Sequence, residues 1–421
     1  MIRPAFLIAF FTIIVRYYDY ALFGFSAATL AKNFFPTNTV YNPIILFYAV
    51  FSIAVIARPL GSIIFGFIGD KYGRATTVKI SVFFATTSTI LIGLIPKFDQ
   101  IGIFATLILT FCRMLFFISL AGESEGIKIY VVEKVGKSYK NYANGIVVCC
   151  SQIGALLAAA MYYFATEFTS IQYLWRINFV IGGIFGLLII FMRHYFEESE
   201  EFIKSKNIHI FSEVRFFDLI KIIKEVTEKF ILALIISGTI GGIYHFLIIF
   251  WGVFLVQFSL INNFSQEQRI NILLIAIYAI MSIISGKLAD KFYPKLQIII
   301  SLLLSLCGVI GAQLLLPINN YLIYFPIFLI VLAPFYMIPL QIIMQSIFNT
   351  SMRNRMYGLS HSVGGMLLSS TTPFFCTKLW QYSHSLPLVL GFLLLLLLLL
   401  FTTVVYLYNG NRMHKNFHQK L

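Results

Sequence analysis

The stretch Ala57-Arg58-Pro59-Leu60-Gly61, continuing through Gly66-Phe67-Ile68-Gly69-Asp70-Lys71-Tyr72-Gly73-Arg74, decides how the rest of the chain is read. It closes a long apolar run with a dense polar knot of the form Gly-x-x-x-Asp-Lys-x-Gly-Arg. Glycines let two helices approach closely where they leave a bilayer. A carboxylate such as Asp70 can meet a neighbouring helix N-terminus or a basic side chain. Basic residues beside a span mark its cytoplasmic end. A tight, charged turn of this kind suits a latch in a protein whose two halves rock against each other. A second copy stands about half a chain length further on, at Gly286-Lys287-Leu288-Ala289-Asp290-Lys291. There Tyr293 and Pro294 replace the closing glycine and arginine, so the first latch is expected to be the stronger.

Composition excludes an ordinary soluble enzyme. Hydrophobic residues make up 59% of the 421-residue chain and charged residues 11%, against roughly 45–50% and about 25% in soluble domains. Long apolar runs recur from end to end, the pattern of a polytopic membrane protein. The net charge of +14 does not argue for nucleic acid, because the lysines and arginines sit in short loops between apolar spans. The five cysteines (Cys112, Cys149, Cys150, Cys307 and Cys376) all fall inside apolar spans and form no metal or disulfide framework. The apolar start is read as a first span rather than a cleaved leader, because Arg16 and Asp19 interrupt it and no small-residue cleavage site follows.

A membrane-crossing helix needs about 20 residues. About twelve candidates are expected, near 5–30, 43–68, 77–96, 101–127, 142–165, 175–194, 229–257, 268–289, 296–315, 320–344, 357–380 and 386–408. The expected organisation is an N-terminal six-helix bundle over 1–194, an amphipathic linker over 195–228, a C-terminal six-helix bundle over 229–408 and a tail over 409–421. Basic residues fill alternate connections: Lys71, Arg74 and Lys79; Lys134, Lys137 and Lys140; Lys287, Lys291 and Lys295; Arg353 and Arg355. Linker and tail fall on that same side, which places both termini in the cytoplasm.

Ionisable groups inside spans are the best functional signal in such a chain, because each is costly in lipid unless paired or hydrated. Arg16 and Asp19, three apart on one helix face, can pair. They form either a structural ion pair or a substrate- or proton-binding group. Arg58 reaches a comparable depth and either clamps a substrate carboxylate or neutralises Asp19. Arg113 sits near mid-bilayer, with Glu123, Glu125 and Lys128 further toward the cytoplasm. Glu125 and Lys128 suit a local pair. Glu123 has no such neighbour, and a carboxyl group in a low-dielectric site holds a proton readily. His245 suits a proton relay, although a lone histidine is as easily a hydrogen-bonded core residue. Gln341, Gln345 and His361 are candidate cavity residues of the C-terminal half.

These residues carry a resemblance. Tyr18-Asp19-Tyr20-Ala21-Leu22-Phe23-Gly24-Phe25, Arg58-Pro59-Leu60-Gly61, the Gly66–Arg74 knot, Arg113 with Gly122-Glu123, and Trp175-Arg176-Ile177 resemble the metabolite–proton symporters of the major facilitator superfamily. Members of that family include proline/betaine osmoprotectant permeases. The match is dense in the N-terminal half and thins to Asp290-Lys291, Gly358, Gly364-Gly365 and Pro373 beyond it. Arg16 stands where the family usually has an acidic residue, and Phe116-Phe117 replace its Gln-Gly. The resemblance does not extend to that family's long C-terminal tail, so the osmotic regulation linked to the tail is not among the expectations.

The resemblance implies an all-α major facilitator fold with two six-helix bundles in a bacterial inner membrane. It further implies proton-coupled symport of a small zwitterion such as proline or betaine by alternating access. Symport of small mono-, di- or tricarboxylates such as 2-oxoglutarate is the alternative, and a non-transporting receptor is a more distant one. The expected binding residues are Asp19 and Glu123 for the cation, Arg58 and Arg113 for a carboxylate, with Arg16 and His245 beside them. Gly66, Asp70, Lys71, Gly73, Arg74, Asp290 and Lys291 are the expected latch. No enzyme activity, metal or cofactor is expected, since the proton gradient supplies the energy. The expected partners are a small-molecule substrate, the proton and the lipid bilayer, with no nucleic acid and a functional monomer.

Overall fold

The computed structural model describes residues 4–36, 43–72, 74–135, 137–167, 173–192, 223–252, 254, 264–315, 325–348 and 353–409. The elements among them are all helical: α1 Pro4–Phe25, α2 Ala27–Phe34, α3 Pro43–Val55, α4 Ala57–Tyr72, α5 Arg74–Leu94, α6 Phe98–Ile101, α7 Ile103–Val135, α8 Lys140–Glu167, α9 Leu174–Met192, α10 Thr227–Tyr244, α11 Phe264–Lys291, α12 Pro294–Leu315, α13 Phe325–Ile347, α14 Arg353–Gly364, α15 Thr372–Ser383 and α16 Leu386–Asn409. In lipid a helix satisfies its own backbone, which is why apolar runs of this length fold no other way. Ten helices among the described residues are long and apolar enough to cross a membrane. Helix α5 supplies a further apolar stretch at Lys79–Leu94. The expected span over 357–380 is broken into α14, a π-helical turn at Gly365–Ser369 and α15. The linker over 195–228 and the tail over 409–421 lie almost wholly outside the described residues.

Prolines account for several of the interruptions. The expected second span breaks at Ile56 into α3 and α4. Pro59 lacks the N–H that would reach the Val55 carbonyl, so the ladder cannot run through. Inside α13, Pro334 and Pro339 each free one carbonyl in the preceding turn. Pro339 releases that of Phe335, and Gln297 of α12 donates to it from Nε2 at 3.0 Å. Gln297 Nε2 also reaches Ser285 Oγ at 3.0 Å, and Ser285 donates to the Pro334 carbonyl at 2.8 Å. Neighbouring helices thus supply the donors that lipid cannot.

The chain divides into two compact units, one of residues 1–129, 153–230 and 348–363, the other of 130–152, 231–347 and 364–421. In the first, α5 packs along α9 and α9 along α1. Gly61 of α4 lies so close to the Ile118 backbone of α7 that no Cβ fits, the close crossing that small residues permit. Ser62 and Ser362 share a 2.7 Å hydrogen bond in the same unit. In the second unit α13 packs on α11 and α12, and α12 on α16. The leucine-rich α16 buries one stripe that includes Leu393, Leu396, Leu397 and Leu400, while Leu395 and Leu398 stay exposed.

Candidate functional site

The first unit gathers the predicted charges. Helix α1 supplies Arg16 and Asp19, α4 supplies Arg58 and α7 supplies Arg113. Asp19, Arg16 and Arg113 are 3%, 5% and 1% exposed, and Arg58 is half-buried. The arrangement follows from helical spacing. Arg16, Tyr20 and Phe23 recur at four and three residues on α1, and Arg113, Phe116 and Phe117 share one face of α7. Phe51 comes in from α3.

These rings enclose Arg113. Its guanidinium carbon lies 4.1 Å from the Phe23 ring centroid, 4.4 Å from Phe116, 4.9 Å from Phe117, 5.6 Å from Tyr20 and 5.8 Å from Phe51. Its Nη2 donates to the Tyr20 carbonyl at 3.3 Å, and its Nε has no hydrogen-bond partner among the described residues. Placing an arginine at the centre of a bilayer costs about 2.5–3.5 kcal/mol on insertion scales. Each desolvated cation–π contact returns about 0.5–2 kcal/mol, so several rings together offset that cost. Arg16 also approaches this cage, 5.7 Å from the Phe116 centroid.

Asp19 is within Coulombic reach of Arg113, and the Tyr20 hydroxyl is within reach of both Arg58 and Arg113. The structure therefore brings Asp19, Arg58, Arg113 and Arg16 into one neighbourhood around Tyr20 and Phe116. Gly182 of α9 makes room for Asp19, since a Cβ there collides with its Oδ1 and with the Tyr18 ring. Tyr18 is in turn fixed by donating to the Asn178 carbonyl at 3.0 Å. Lys128 is buried, with its ammonium 5.8 Å from the Tyr17 centroid. The side chains of Glu123 and Glu125 lie outside the described residues.

The second unit contains His245 and a set of uncharged polar groups. His245 opens a π-helical turn over His245–Phe250 that follows α10. Its Nδ1 lies 2.8 Å from the Ser369 carbonyl and 3.2 Å from Ser369 Oγ. A carbonyl only accepts, so in this contact Nδ1 is the donor. Ser369 ends the other π-helical turn, so the two irregular turns meet at this contact. Tyr244 donates to Gln152 Oε1 at 2.9 Å. Asn144 Nδ2 donates to Gln341 Oε1 at 3.0 Å and to the Ile338 carbonyl at 3.1 Å. Gln345 is buried, and its Nε2 has no hydrogen-bond partner among the described residues.

The second latch belongs to this unit as well. The Asp290 carboxylate, at the end of α11, caps the first turn of α8. Oδ1 accepts from the Asn141 amide at 3.0 Å and from Asn141 Nδ2 at 2.9 Å, and Oδ2 accepts from the Tyr142 amide at 2.8 Å. A helix start leaves such N–H groups without intrahelical acceptors and carries a partial positive charge. Gly286 permits the approach, because a Cβ there collides with the Asn141 carbonyl. Lys291 is exposed, 5.6 Å from the Phe292 centroid. Of the first latch, the side chains at Gly66, Asp70, Lys71 and Arg74 and all of Gly73 lie outside the described residues.

Sequence reasoning missed Asn144, Gln152, Gly182 and Gln297. The signal for the two amides on α8 was present: they are eight residues apart, on one face of an otherwise apolar span. Gln297, near the start of its span, resembles an interfacial residue until its proline-freed acceptor is seen. Nothing local marks Gly182, because its importance comes from the distant Asp19.

The described residues thus combine long apolar helices, buried charges and a carboxylate at a helix start. The family model of the Major Facilitator Superfamily matches residues 9–373. The "Putative proline/betaine transporter" of Staphylococcus aureus (strain COL) is 26% identical over 379 residues, covering 87% of this chain and 79% of its own. The "Proline/betaine transporter" of Escherichia coli (strain K12) is 33% identical over 192 residues, 45% of this chain and 38% of its own. Among solved structures, the proton:xylose symporter XylE bound to 6-bromo-6-deoxy-D-glucose matches with a TM-score of 0.79 at 15% identity, over 97% of this chain and 95% of its own. The human organic anion transporter MFSD10 matches with a TM-score of 0.64 at 14% identity, over 96% and 99%. These two share the fold. The chain belongs to the Major Facilitator Superfamily. It is an integral membrane transporter and not an enzyme.

Proposed function

We propose that this transporter is a proton-coupled symporter that imports a small zwitterionic osmolyte or amino acid, such as proline or betaine, by alternating access. The observation that carries this reading is the burial of Asp19 within reach of Arg113, beside Arg16 and Arg58. One carboxylate and several guanidiniums in a dry site suit a solute that brings both signs of charge. Asp19 and Glu123 hold the proton or the substrate's cation. Arg58 offers a planar fork that matches a carboxylate, and Arg113 supports Asp19. His245 relays protons. The two latches close the cytoplasmic side in turn, with both termini in the cytoplasm of a bacterial cell and the monomer as the working unit. The sequence relatives named for proline and betaine support the zwitterion.

A second reading, symport of small carboxylates such as 2-oxoglutarate, is favoured by one observation. Arg16, Arg113 and Lys128 are all buried in the first unit, whereas Asp19 is the buried carboxylate among its described residues. Radiolabelled uptake into proteoliposomes with an imposed inward proton gradient separates the two. Accumulation of proline or betaine that collapses with the gradient supports the first reading. Gradient-driven accumulation of 2-oxoglutarate with neither zwitterion taken up supports the second. Accumulation that ignores the gradient overturns proton coupling in both.

A further inference from the structure

The Arg113 cage is an unusual place for a guanidinium. Arginine is suited to forked hydrogen bonds with carboxylates, yet here it faces five rings, makes a long bond to one carbonyl and leaves Nε without an acceptor among the described residues. A cage of ring faces with so few acceptors suits a cation that needs no hydrogen bonds. Quaternary ammonium is that cation, since it has no N–H to satisfy and is held by ring quadrupoles. Proline's ammonium and other N–H-bearing ammoniums lose acceptors on entering such a cage. Phe116 already carries two guanidiniums, Arg113 at 4.4 Å and Arg16 at 5.7 Å, and their mutual repulsion favours release of one of them.

We propose that the cage holding Arg113 is the receptor for the quaternary ammonium of a betaine-type zwitterion, and that Arg113 leaves it to take the same zwitterion's carboxylate. The arginine keeps the cage filled while the site is empty, and the substrate supplies both the acceptor that draws it out and the cation that replaces it. This rests on the zwitterion reading above and narrows it from zwitterions in general to N-methylated ones. Phe23 and Phe116, the two nearest rings, become the specificity-determining residues.

Isothermal titration of the purified full-length protein against glycine betaine, dimethylglycine, sarcosine, glycine, proline and 3,3-dimethylbutyrate tests it. The last probe has the shape of betaine without the positive charge. Affinity falls with each methyl removed, by about 30-fold from betaine to glycine, and the isostere without the cation binds at least about tenfold more weakly than betaine. Phe23→Leu removes these preferences and Phe23→Trp keeps them. Phe116→Leu serves if Phe23→Leu does not yield monodisperse protein, and the wild-type ranking decides if neither does. Glycine and proline binding as tightly as betaine overturns the cage while leaving the zwitterion reading intact. Binding of 2-oxoglutarate with no zwitterion bound overturns both.

Discussion

The two units handle polar groups in an apolar setting in opposite ways. The first concentrates charge, with Asp19, Arg16, Arg113 and Lys128 buried and Arg58 half-buried. The second works with neutral groups: Asn144 to Gln341, Tyr244 to Gln152, Ser285 to the Pro334 carbonyl, Gln297 to the proline-freed Phe335 carbonyl, and His245 to Ser369. Its Asp290 carboxylate sits at a helix start, where Asn141 and Tyr142 donate to it. Charge held by rings and by long-range fields responds to any ion that enters, whereas neutral hydrogen bonds hold helices in register. On the reading proposed above, the substrate meets the charges of the first unit, and the second adds His245 to a neutral hydrogen-bonded frame.

Substitutions that break this contrast should rank accordingly. Gly182→Ala drives a methyl into the Asp19 carboxylate without touching any charge. Uptake into proteoliposomes should fall by about 100-fold, the loss expected when a buried ionic contact worth 2–3 kcal/mol is misplaced, while the protein still reaches the membrane. Asp290→Ala removes three hydrogen bonds from the α8 start. Charge-assisted bonds to helix amides are individually worth about 1.5–3 kcal/mol, so the contact between α11 and the α8 start should open more often. That is read as about tenfold faster cysteine labelling at Asn141→Cys in the double variant than in Asn141→Cys alone. Gln297→Leu leaves the Phe335 carbonyl without its donor at a cost of about 1–3 kcal/mol. It should lower the melting temperature while leaving substrate affinity within about twofold. Equal loss of affinity in Gln297→Leu and Gly182→Ala would erase the division of labour.

Much of this architecture is legible in the sequence because apolar runs of span length leave a chain little choice. Ten of the about twelve expected spans are long and apolar enough to cross a membrane, and residue type and position marked the buried Arg113, Asp19 and Arg16. The breaks were less visible. Pro59 flags the interruption at Ile56, but the π-helical turns at His245 and Gly365 keep the apolar pattern of an ordinary helix. The ring cage was hidden for another reason. Its walls come from α1, α3 and α7, and phenylalanine is so common here, 44 in the chain, that no single one stands out. The second latch, expected to be the weaker, makes three bonds to a helix start, and the relative strength of the first rests on side chains outside the described residues.

The central claim is that Asp19 couples the proton to the substrate. The measurement is Asp19→Asn in proteoliposomes, with gradient-driven uptake and gradient-free counterflow of labelled betaine recorded on one preparation. The amide keeps the size and loses the charge. Loss of concentrative uptake with counterflow retained is the predicted result. Concentrative uptake at the wild-type level would contradict it.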